Sequence, residues 1–105
     1  MKLLFVTCLK EDRQQVADLF KKAKISVFSA THTTGFKDDY SENLGDNWFG
    51  AEGEEFDSVF LYSFTSAEKA DKALLLIQDY NDTSQSSYPI RAFIIPVEGS
   101  SYQTI

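Results

Sequence analysis

Three segments of this chain carry apolar residues on both alternating faces, while only two segments have the spacing of an amphipathic helix. From Leu3 to Leu9, Leu4, Val6 and Cys8 lie on one face and Leu3, Phe5 and Leu9 on the other. From Ser58 to Phe64, Val59 and Leu61 oppose Phe60, Tyr62 and Phe64. Phe93, Ile94 and Ile95 are the centre of a third run, Pro89 to Val97. Strands of this kind belong in a sheet with both faces covered. Two helices cover one face only, and an apolar patch of several hundred Å² is rarely left in water. The patterning therefore predicts that copies of the same chain cover the second face, in a closed trimer or else a dimer.

The remaining elements fit between these runs. Glu11 to Ala23 places Val16, Leu19, Phe20 and Ala23 at helical spacing, with acids in the first turn and Lys21, Lys22 and Lys24 at the end, as the helix dipole favours. Val27 to Thr34 is rich in Ser and Thr and reads as an edge strand. Ser66 is a good N-cap for a second helix along Ala70, Ala73, Leu74, Ile77 and Tyr80. Asn81 to Tyr88 reads as a polar turn region. Pro96 cannot donate to a ladder and marks the last strand as an edge. The order strand, helix, strand, loop, strand, helix, strand predicts an α+β, ferredoxin-like βαββαβ sandwich, with the first and third strands central. All 105 residues then form one domain, with a polar tail from 98 to 105.

Between the second and third strands lies a stretch with neither period, Gly35 to Asp57, which holds four of the five glycines. Its eight acids (Asp38, Asp39, Glu42, Asp46, Glu52, Glu54, Glu55, Asp57) against Lys37 give −8 + 1 = −7, when the whole chain is −6. A long irregular segment inside a small domain is commonly functional or disordered. Acidity of this kind argues against nucleic acid, which needs clustered Lys and Arg. It also outweighs the reading of Phe60, Tyr62 and Phe64 as an RNA-stacking platform. One cysteine excludes an internal disulfide, no segment approaches the ~20 apolar residues of a membrane span, and Leu3 to Leu9 lacks the features of an export signal. The cytoplasm is the expected compartment.

Several residue groups carry candidate chemistry. Asp38, Asp39, Glu42 and Asp46 are spaced closely enough to fold around a divalent cation, which takes several carboxylate oxygens; a solvated loop is the alternative. Trp48 and Phe49, an aromatic pair in a polar setting, suit a protein-partner anchor or a cap that folds back on the domain. Cys8 and His32 are soft or borderline metal ligands, but they fall on strands that are not neighbours in this sheet order, so a shared site would need two subunits. Nothing has the spacing of a nucleophile–base pair or a phosphate loop, so an enzyme is not expected.

The opening Met1-Lys2-Leu3, the Thr34-Gly35-Phe36-Lys37 that closes the second strand, the long loop returning into an apolar strand and the closing Val97-Glu98 together resemble the PII signal-transduction superfamily. The resemblance implies a cytoplasmic trimer with adenine nucleotide in clefts between subunits and a long loop that docks on protein targets, including membrane proteins. It places Gly35, Phe36 and Lys37 at the loop base and Arg91 near the family's phosphate-binding lysine. The family's glycine-rich phosphate loop corresponds here to Asn81-Asp82-Thr83-Ser84-Gln85-Ser86-Ser87-Tyr88, which has no glycine. A metal-responsive trimer of the same fold, similar to the CutA family or to PII-like proteins associated with heavy-metal export, is the second expectation. The residues by themselves name no cofactor beyond these two possibilities, adenine nucleotide or divalent metal.

Overall fold

A computed structural model of the protein describes residues 1–36 and 55–101. The elements run β1 (Lys2–Leu9), a 3-10 turn (Lys10–Asp12), α1 (Arg13–Lys22), β2 (Ser29–Phe36), β3 (Glu55–Thr65), α2 (Ala67–Ser84) and β4 (Arg91–Pro96). The strands form one antiparallel sheet in the order β2-β3-β1-β4. This is the ferredoxin-like arrangement that the patterning predicts, with the two most apolar strands in the middle. Among the described residues no helix is long and apolar enough to cross a membrane.

Strand alternation divides the sheet into two chemically different faces. Leu4, Val6 and Cys8 of β1 and Val59 and Leu61 of β3 are buried with Val16, Leu19 and Phe20 of α1 and Ala70, Ala73 and Ile77 of α2. Those side chains are the core. On the opposite face, cross-strand partners line up as Leu3–Phe64, Phe5–Tyr62 and Thr7–Phe60 between β1 and β3, and as Leu3–Ile95, Phe5–Phe93 and Thr7–Arg91 between β1 and β4. Phe5 and Phe60 pack with ring centroids 5.0 Å apart, and Tyr62 meets Phe64 edge-on at 6.4 Å. No described helix covers these rings. Tyr62 is 37% exposed, Phe64 58%, Phe93 40% and Ile95 42%, so the large hydrophobics left in water on this face are neighbours across the ladders.

Several element boundaries differ from the expectation, each for a tertiary reason. β2 begins at Ser29 because Ile25 and Phe28 turn into the core, Phe28 standing edge-on to Phe20 at 5.0 Å, while Val27 points into solvent. The Ser63 hydroxyl donates to the Val27 carbonyl at 2.7 Å and holds that linker to β3. β2 continues through Gly35 and Phe36, which pair with Phe56 and Glu55, so the ladder extends into both ends of the 35–57 stretch. α2 starts as expected, with Ser66 Oγ accepting from the Lys69 amide at 3.2 Å. It runs on to Ser84, one turn beyond Tyr80, although Asn81 to Ser84 are weak helix formers. The reason is Asn81, whose side chain ties this last turn to Ile90.

Candidate functional site

Gly35 is a glycine for a packing reason. It faces Phe56 across the ladder, and the Phe56 ring occupies the space that a Cβ would take. Such ring-over-glycine pairs pin strand register. Phe36, one residue further, is 72% exposed and stands where β2 leaves the described region. The end of the sheet that carries the loop base is therefore an aromatic pair, one ring packed and one free to solvent.

Arg91 opens β4 on the other edge of the sheet, opposite Thr7. Thr7 is buried, and its Oγ1 has no hydrogen-bond partner among the described residues. Paired residues share a face, so this hydroxyl and Arg91 both belong to the helix-free side. From the sheet order and register, Gly35 and Arg91 are separated by three strand spacings and four residues along the strand, or about 20 Å. The structure thus places the two ends of the expected ligand set at opposite edges of one subunit and does not bring them together within it. Lys37, Trp48, Phe49, Asp38, Asp39, Glu42 and Asp46 lie outside the described residues.

Cys8 and His32 both oppose Val59, so β3 lies between them and their Cα atoms are about 10 Å apart. Both belong to the helix side. Cys8 is buried in the core, and burial is the main cause that pushes its thiol up to about 12; Asp12 adds to the rise and Arg13 opposes it. A thiol that stays protonated is a poor metal ligand and a poor nucleophile. His32 is exposed instead, beside Lys10 and Asp57 in a small polar cleft of about 200 Å³. Among the described residues no three His, Cys, Asp or Glu side chains are grouped to hold a metal ion.

Sequence reasoning did not find one feature. An open cavity of about 790 Å³ lies at the far end of β3 from the loop base, where the start of β1, the α1–β2 linker and the N-terminus of α2 meet the segment after β4. Val27, Phe64 and Val97 supply apolar lining and Lys24 and Lys69 supply charge. These residues come from four separate parts of the chain, so no local motif announces them. The one local signal is Lys24, which follows α1 with φ 68, a left-handed conformation that turns the chain sharply beside the cavity.

No protein-family model and no curated protein sequence matches this chain. A solved structure does. The crystal structure described as that of a putative PII-like signaling protein from Thermus thermophilus superposes with a TM-score of 0.60 at 17% sequence identity, over 89% of this chain and 82% of that one. At that identity the likeness is one of fold, and the chain shares the ferredoxin-like architecture of that structure.

Proposed function

We propose that this protein is a PII-like regulatory subunit, not an enzyme. It assembles as a closed homotrimer in the cytoplasm, takes a small ligand at clefts between subunits, and engages a protein target through the 35–57 stretch, with Trp48 and Phe49 as anchors. The helix-free aromatic face carries this reading. Tyr62, Phe64 and Phe93 leave roughly 270 Å² of ring surface exposed per subunit, taking about 200 Å² for each ring. Burying it against neighbours is worth ~7 kcal/mol per subunit at ~25 cal/mol per Å². The 20 Å between Gly35 and Arg91 supports the intersubunit placement of the ligand. Residues on opposite edges of one sheet contribute to one cleft only when the edge of one copy approaches the opposite edge of the next. The buried Thr7 hydroxyl beside Arg91, without a hydrogen-bond partner among the described residues, is a group that such a ligand would satisfy.

Sedimentation equilibrium tests the assembly. A trimer of 11.9 kDa chains has a mass of 3 × 11.9 = 35.7 kDa. The wild type is expected at that mass, and a Phe64→Glu/Phe93→Glu variant at the mass of one chain. A wild type that stays monomeric at micromolar concentration sinks the proposal, as does a doubly charged variant that remains trimeric.

A further inference from the structure

The connection from α2 to β4 has no glycine between Asn81 and Ile90, so it is shaped by its own polar groups. Asn81 Nδ2 donates to the Ile90 carbonyl at 2.8 Å, and the Ile90 amide donates to Asn81 Oδ1 at 3.0 Å. The side-chain amide thus stands in for a peptide group and closes a one-residue bridge over nine positions. The Gln85 amide donates to the Asn81 carbonyl at 3.0 Å, with Gln85 in the left-handed region at φ 50, and ends the helix. The Tyr88 amide donates to Ser86 Oγ at 2.9 Å. Pro89 has no N–H. From Gln85 to Ile90, three backbone donors are turned inward and one does not exist, which leaves Ser86 and Ser87. A backbone phosphate site works in the opposite way, with several successive N–H groups aimed at one external point.

We infer that this connection is a self-bonded loop closed by Asn81, that it holds no nucleotide phosphate, and that any anionic group of the ligand is held by side chains. The residues present do not fit the phosphate-cradling loop that the family resemblance implies. Ile90 is buried in the core, and Arg91 follows it directly, so the clamp also fixes where that guanidinium leaves the sheet. The inference narrows the ligand class of the intersubunit cleft and rests on that cleft only for where a ligand sits.

Amide-resolved NMR on the assembled wild-type protein tests it with ADP and inorganic phosphate as probes. Without either probe, the Gln85 and Ile90 amides are expected to exchange at least tenfold more slowly than those of Ser86 and Ser87. On titration to millimolar ADP or phosphate, the Gln85, Tyr88 and Ile90 amides are expected not to shift. A saturable shift at these three amides or at those of Ser86 and Ser87 overturns the inference, as does an Ile90 amide that exchanges as fast as Ser86. Saturable shifts confined to Gly35, Thr7 or the Arg91 guanidinium support both the cleft and the inference. A wild type that shifts nowhere supports the inference and removes nucleotide from the cleft's ligands.

Discussion

Replacing Gly35 with alanine probes the end of β2 at its tightest point. An added Cβ would lie 2.5 and 2.9 Å from two carbons of the Phe56 ring, and closer still to a third. Non-bonded carbons reach their best separation near ~3.5–4.0 Å, so the ring must withdraw by about 1 Å or more. Overpacking of that kind costs ~1–3 kcal/mol. At roughly 4–8 °C per kcal/mol for a domain near this size, the melting temperature should fall by about 5–20 °C. The melts must be compared at one protein concentration, because assembly stabilises the folded state by mass action. Phe56→Leu removes the obstructing ring. The Gly35→Ala/Phe56→Leu pair should therefore be at least ~1 kcal/mol more stable than the sum of the two single changes predicts. Loss of less than ~0.5 kcal/mol in Gly35→Ala, or strict additivity in the pair, would refute the claim that packing against Phe56 is what requires glycine there.

Two other sites give measurable expectations. The Cys8 thiol is pushed from 9.0 to about 12 on folding, chiefly by burial, so between those values the unfolded chain gives up a proton that the folded chain keeps. Its contribution to stability is intact below about pH 9 and is lost as pH rises towards 12, by up to ~1.4 kcal/mol per pH unit. Denaturant melts of wild type and Cys8→Ala from pH 8 to 11 should show a steeper decline for the wild type, and parallel slopes would exclude this origin. Ser66→Ala removes the acceptor for the Lys69 amide and should cost ~1 kcal/mol in urea unfolding, with Ser66→Asp recovering most of it.

Alternation marked β1 as doubly covered, with Leu3, Phe5 and Leu9 opposite Leu4, Val6 and Cys8, while the element order put β3 beside it at the centre and Pro96 sent the equally apolar last strand to an edge. Alternation also exposed the excess of apolar face over available helix, which the structure shows as the rings of Tyr62, Phe64 and Phe93. Other features depended on contacts between distant residues. Val27-Phe28 has strand composition, yet the edge-on contact of Phe28 with Phe20 draws it out of the ladder. Asn81 to Ser84 have turn composition, yet a bond to Ile90 keeps them helical. The candidate ligand residues were legible as types but not as positions, because the separation of Gly35 and Arg91 depends on strand order and register together. The cavity with Lys24 and Lys69 was not legible at all, because its lining is assembled from segments with no shared period. The acidic and aromatic residues from 37 to 54 lie outside the described residues, and their roles rest on their chemistry.

The position of β1 at the centre of the sheet has a consequence in time. This strand precedes both of its ladder partners, Ser58 to Thr65 on one side and Arg91 to Pro96 on the other. At synthesis rates of about 5–20 residues per second, the ribosome adds the second of these partners roughly 5–20 s after making β1. Until β3 is made Leu3, Leu4, Phe5 and Val6 have neither ladder partner, and until β4 is made one edge of the strand stays open, although Leu4 and Val6 end fully buried. A strand made before both of its partners is thus completed only by the second, and the nascent chain carries one open edge of this apolar stretch until Arg91 to Pro96 are made.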